Sequence, residues 1–373
     1  MRRTLGRVFA LADKEVRHVV RDPRSLYLAL GMPAVLLLLF GFGISFDLDH
    51  MPIGFVDHDA SPDSRRIRYA LVSAVDFDDA GISESVVEAE RRLVAGEVAC
   101  VVIFPPGFGE RLRRGDPSPV QLLVDGADNS TAVQVSGKLE AGLRVLGVDA
   151  SPAMGAMRPP IDVRPFMRFN PEARSAVFLV PGIAAYVLAI VAVLLTALTV
   201  AREWERGSMA QLFATPVGRL EIVIGKLLPY LVLATLAVLL VIAVGTTVFD
   251  VPLRGSVIAL AVISLLFLTG MLAQGLVISV ITKNQMVATQ AATLSSMLPS
   301  MLLSGFVFPI ENMPAPLQLL SRVIPARYMV DGLRAVMLRG NGLETLWPDA
   351  LALAVFAFVM IAISTARFSR VIA

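Results

Sequence analysis

A chain of 373 residues would fill two or three soluble domains, but the composition argues against them. Hydrophobic residues make up 55%, charged residues only 17%, and mean hydropathy is +0.70, whereas a soluble chain carries about 25% charged residues. These figures argue against disorder and a nucleic-acid domain, the net charge of +2 says little alone, and the single cysteine, Cys100, excludes an intrachain disulfide framework and any multi-cysteine metal site.

The pattern is that of a polytopic membrane protein. The leader, 1–25, places Leu5, Val8, Phe9, Ala12, Val16, Val19 and Val20 at helical spacing, with basic residues on the other face. It predicts an amphipathic helix lying in the cytoplasmic interface; a basic flank without fixed structure is the alternative. A bilayer core of about 30 Å needs about 20 helical residues, and six segments qualify: Leu26–Phe46, Ala176–Val200, Ile222–Phe249, Ser256–Ile281, Met286–Pro309 and Trp347–Ala366. Asp47-Leu-Asp-His50 follows the first span where small cleavage-site residues would mark a signal peptide, so it reads as an uncleaved anchor. Pro33, Pro181, Pro229 and Pro299 fall inside spans, where each removes a backbone donor.

The insert, 47–175, reads as a small α/β domain. Strands are expected at 52–57, 98–104 and 119–125, with helices at 63–73, 86–95 and 129–146, which favours a mixed or parallel sheet covered by helices. The apolar run Val98–Phe104 suggests a buried central strand, with Cys100 as packing rather than nucleophile.

Lysine and arginine are unequally shared between the two sets of short loops. The leader holds seven, the loop 201–221 three, the turn at Lys283 one and the tail two, against five on the opposite side. The positive-inside rule therefore puts both termini in the cytoplasm. The insert then lies outside; it carries 14 basic and 20 acidic residues.

Several chemistries lack the residues they need in this chain. Gly225-Lys226 resembles the end of a phosphate-binding loop, but Leu227 stands where a Ser or Thr must hold magnesium. No ATP hydrolysis is expected from this chain alone. Asp47, Asp49, His50, Asp57, His58 and Asp59 could bind a divalent cation, yet nothing fixes them on one face, and solvated turns flanking the strand at 52–57 are the favoured reading. Lys226 is the only charge well inside a span, near its cytoplasmic end, where it is expected to snorkel. No acidic residue stands at mid-membrane to bind a driving proton or sodium ion.

Two stretches carry a family resemblance. One runs Arg202-Glu-Trp-Glu-Arg-Gly-Ser-Met-Ala-Gln-Leu-Phe-Ala-Thr-Pro216 and on to Lys226. The other runs Leu303-Ser-Gly-Phe-Val-Phe-Pro-Ile-Glu-Asn-Met-Pro314, then Ile324-Pro-Ala-Arg-Tyr-Met-Val-Asp-Gly-Leu-Arg334. Together they resemble the permease subunits of type-two ATP-binding-cassette exporters, in the multidrug-efflux-like branch with a large extracytoplasmic domain between spans one and two. The resemblance implies two permease chains, as a homo- or heterodimer in the lipid bilayer, above separate ATP-binding subunits that hold ATP and Mg; it implies no cofactor or metal on this chain. A periplasmic adaptor is a further candidate partner. It also implies that Glu203, Trp204, Glu205, Gly207, Met209, Leu212 and Pro216 form the coupling element. The region 310–340 would fold as outer re-entrant helices, gated around Pro309, Pro314, Pro325, Arg327 and Arg334. Thr289, Gln290, Thr293 and Ser296, beside Ser295, can line a pathway or serve as interhelical hydrogen-bonding glue. The exported compound would be a drug, a lipid or another amphiphile. The alternatives are a mechanotransmitter that moves no substrate and a membrane receptor.

Overall fold

The computed structural model describes residues 2–43, 51–73, 77–116, 118–124, 135, 137–139, 142, 174–209, 215 and 217–368. They fall into two compact units, Met1–Ile44 with Met167–Ala373, and Ser45–Phe166.

The helical unit begins with α1 (Arg2–Val20), then a short turn α2 (Pro23–Leu26), a π-helical turn Tyr27–Gly31 and α3 (Met32–Gly43). Pro33 has no N–H for the carbonyl four residues back, and the wide turn just before it absorbs that mismatch: Met32 N–H reaches instead to Tyr27 O. In the leader, Val8, Leu11, Glu15 and Val19 are buried while Phe9, Val16 and Val20 are exposed. The helix therefore presents one apolar edge to its own protein and leaves the other uncovered.

The sheet unit contains four strands: β1 (Met51–Asp57), β2 (Phe77–Ile82), β3 (Cys100–Phe104) and β4 (Gln121–Val124), in the order β2-β1-β3-β4. Strand β1 is parallel to β2 and β3, whereas β4 is antiparallel to β3. The helices between them are α4 (Pro62–Val72), α5 (Val86–Val94) and α6 (Phe108–Arg114). Alternation along β3 sends Cys100, Val102 and Phe104 into one core with Ile67, Leu71 and Phe108, and Val101 and Ile103 into another with Ala89. Covering on both faces explains why this strand reads as an unbroken apolar run. Strand β2 and helix α6 had no counterpart in the sequence reading. Phe77-Asp-Asp-Ala-Gly-Ile82 is an edge strand with one buried residue, so no apolar alternation marks it. Of the helix expected at 129–146, only 135, 137–139 and 142 are described; they are helical, and Val135 and Leu139 are buried. Burial pushes the Cys100 thiol up to about 12, so it packs and does not react.

The rest of the helical unit comprises α7 (Ser175–Glu205), α8 (Arg219–Thr247), α9 (Val257–Thr282), α10 (Gln285–Leu302), α11 (Ala315–Ser321), α12 (Pro325–Arg334) and α13 (Leu343–Arg367). Among the described residues, α7, α8, α9 and α13 are long and apolar enough to cross a membrane. The first and fifth expected spans differ: Tyr27–Gly43 is a shorter apolar helix, and α10 ends at Leu302, short of Pro309. After Pro299 the chain leaves the helix and turns through Gly305, whose φ of +79° suits glycine alone.

Helix α7 is the hub, buried along almost its whole length against α9, α10 and α3. Hydroxyls tie it to α9. Thr196 Oγ1 donates to Leu272 O (2.7 Å), and Ser279 Oγ accepts from Ala201 N (2.7 Å) while donating to Ala197 O. The two backbones meet at Gly275, where a Cβ would lie 2.2 Å from Thr196 Oγ1 and 2.3 Å from Val193 O. Gly275→Leu is therefore expected to lower stability by about 1–3 kcal/mol through overpacking. A drop in the melting midpoint of the purified chain checks this; an unchanged midpoint would place the crossing elsewhere.

Candidate functional site

Of the residues expected to form a coupling element, the described ones lie at or just after the end of α7. Its last turn carries Glu203, Trp204 and Glu205, and Gly207 closes the helix in the left-handed region at φ +70° with open space around it. Each of the three side chains engages a different element. Trp204 lies under Lys283, whose Nζ is 4.5 Å from the ring centroid. Glu205 accepts the Gln285 backbone N–H at 2.8 Å and also its side-chain amide, so it holds the start of α10. Met209 is buried. Leu212 and Pro216 lie outside the described residues.

Glu203 turns inward. Its Oε2 is 2.7 Å from Lys226 Nζ, and its Oε1 is 3.4 Å from Lys14 Nζ. Lys226 also donates to Glu15 Oε1 at 2.8 Å. The Lys226 side chain is 1% exposed and that of Glu15 3%. The expectation that Lys226 snorkels to water is corrected: two carboxylates reach it inside the protein, so its ammonium need not travel out. Three helices, α1, α7 and α8, thus converge on one ammonium. Arg202 to Asp22 (3.0 Å) and Arg7 to Glu221 (3.7 Å) add further ties from α7 and α8 to the leader.

Sequence reasoning missed Glu15, Asp22, Lys283 and Gln285. Glu15 did leave a signal. It sits four residues from both Leu11 and Val19, a carboxylate inside the buried stripe, and an intramembrane lysine needs such a partner.

At the other end of the bundle, Pro309 and Pro314 precede the 3-10 turn Ile310–Asn312 and α11, and Pro325 is the first residue of α12, positions where a missing N–H costs no helical bond. Arg327 donates to Ser321 Oγ at 2.7 Å. Arg334 donates to Gly305 O (3.0 Å) and Phe306 O (3.3 Å) and stacks 4.1 Å over Phe178 of α7. Phe306 in turn packs where Gly182 leaves room; a Cβ there would meet its ring at 2.3 Å. Along α10, Ser296 is buried and bonds back to Ala292 O (2.7 Å), and Thr289 bonds to Gln285 O (2.7 Å). Gln290 is exposed and Thr293 half-buried.

Of the six-residue Asp/His stretch, Asp47, Asp49 and His50 lie outside the described residues. Asp57 accepts from Asp59 N, Ala60 N and Ser64 Oγ and so serves its own turn, whereas Asp59 accepts from Gly109 N at the start of α6. Among the described residues, no cluster of three His, Cys, Asp or Glu can hold a metal.

Comparison with known proteins agrees with this architecture. Residues 24–366 match the pattern that defines the ABC-2 family transporter proteins. The chain is 37% identical to the probable multidrug ABC transporter permease YbhS of Escherichia coli K12, over 98% of this chain and 97% of that one. It is 26% identical to the probable multidrug ABC transporter permease YbhR of the same organism, over 98% of each. It is 21% identical to the linearmycin resistance permease protein LnrN of Bacillus subtilis 168, over 90% of this chain and 92% of that one. The chain belongs to the ABC-2 transporter family, as a multi-pass membrane permease subunit.

Proposed function

We propose that the chain is the membrane half of an ATP-driven exporter of amphipathic compounds, working with a separate ATP-binding subunit and a second permease chain. The observation that carries the reading is the convergence of α1, α7 and α8 on Lys226, with Glu205 of the same turn fixed to α10. A push on the segment after Glu205 is thereby delivered to four helices rather than to a loose connector. Names of the relatives, two of them probable multidrug permeases, support an amphipathic cargo.

In this reading Tyr27–Gly43 with its flanks and α10 complete six spans. At about 1.5 Å per residue, a helix of 17 or 18 residues approaches the 30 Å core, and its neighbours shield what remains. Both termini lie in the cytoplasm, and the sheet unit lies outside, where an adaptor can reach it. Impermeant thiol labelling tests the orientation in a variant whose Cys100 is replaced. A cysteine at Ser136 is expected to react from outside and one at Ser208 to stay protected until the membrane is opened. The reverse pattern would invert the topology.

Transport is tested by reconstituting the chain with an ATP-binding subunit that co-purifies with it. Substrate-stimulated ATP hydrolysis and efflux are expected from the complex and from neither protein alone. Hydrolysis without movement of any amphiphile would favour the mechanotransmitter.

A further inference from the structure

Beside the convergence on Lys226 lies a cavity of about 750 Å³, open between α1 and the end of α7. Its lining includes the cationic or basic side chains Lys14, His18, Arg202 and Arg206. It also includes Leu28, Leu195 and Leu198, on the first apolar helix and on α7. Hydroxyls of Ser25, Ser208 and Tyr230 also border it.

The charges here divide unevenly. The carboxylates of the cavity are already engaged: Glu15 and Glu203 face Lys226, Glu203 also faces Lys14, and the adjacent Asp22 faces Arg202. Among the described residues, the side chains of His18 and Arg206 have no hydrogen bond or ion pair, although both are exposed donors at the cavity. The cavity lining thus combines unspent donors with leucine hydrocarbon.

We propose that this cavity binds an anionic membrane phospholipid, its phosphate held by Arg206 and His18 and an acyl chain lying along Leu28, Leu195 and Leu198. Arginine presents paired N–H donors that match two phosphate oxygens. A soluble anion would use only the cationic groups, whereas an amphiphile also uses the leucines. The site stands on α1 and on the turn after Glu205, so a bound lipid would brace the two elements that the ion pairs already join.

The test uses the full chain, purified in detergent, and native mass spectrometry with phosphatidylglycerol or phosphatidylcholine of the same acyl composition. Neither ATPase nor substrate is needed, so failure here is separate from failure of the export reading. Wild type is expected to retain phosphatidylglycerol roughly tenfold better, the size of one charge-assisted hydrogen bond. His18→Gln with Arg206→Gln should erase that preference without moving the melting midpoint, since neither side chain has a partner to lose. His18→Arg should keep it, and Arg322→Gln, an exposed arginine remote in the chain, should leave it intact. Equal retention of both lipids by wild type, or an undiminished preference in the double variant, would overturn the proposal. So would inorganic phosphate alone displacing phosphatidylglycerol, which would make the ligand a soluble anion.

Discussion

Lys226→Met is expected to destabilise the helical unit by about 3–5 kcal/mol, because it leaves two carboxylates facing each other without their shared cation. Glu15 has nowhere to turn: its side chain is 3% exposed, and its neighbours on α1's buried edge are Leu11 and Val19. Glu203, at 17% exposure with Lys14 at 3.4 Å, is better placed to survive the loss. The double variant Lys226→Met, Glu15→Leu is therefore expected to recover much of the stability, since it removes the carboxylate that cannot be rescued. Melting midpoints in detergent and membrane yields of wild type, single and double variants decide the matter. A single variant as stable as wild type would show that the ion pairs do not hold these helices together.

Glu205→Lys and Gly207→Pro are expected to disconnect ATP hydrolysis from efflux in chains that still insert and fold. Glu205 is exposed, and its partner is the start of α10 rather than the core. A lysine there abandons the Gln285 N–H and adds a second cation near Lys283, which already sits on Trp204. If the partner ATPase meets this turn, the new cation also reverses the charge it meets, and efflux should fall roughly tenfold or more. At Gly207 the reason differs: φ is +70°, whereas proline is fixed near −65°, so the turn itself must change. Gly207→Ala keeps the backbone choice open at a cost of about 1 kcal/mol and should be the milder variant. Pull-down of the ATPase, hydrolysis and efflux are measured together. Normal values for both Glu205→Lys and Gly207→Pro would make this turn an ordinary connector.

The sequence by itself determined that lipid is this chain's solvent, because 55% hydrophobic residues in runs of about 20 leave no other way to cover the surface. It also determined the α/β character of the insert, since strands buried on both faces, such as Cys100–Phe104, must be continuously apolar. Trp204, Gly207 and their neighbours sit together in the chain, and the family resemblance singled them out as the expected coupling element. What they touch could not be named that way. Lys226 lies 211 residues from Glu15 and 23 from Glu203, and no local pattern announces that three helices will bring both carboxylates within 3 Å of its ammonium. Read along one helix, a lysine near a span's end snorkels; packed among three, it meets its counter-ions inside. The same limit hid the edge strand Phe77–Ile82 and the place where Gly305 turns the chain out of α10. Periodicity records which face of an element is covered. Only the assembled helices decide what covers it, because ion pairs and close glycine crossings are set by distance in space.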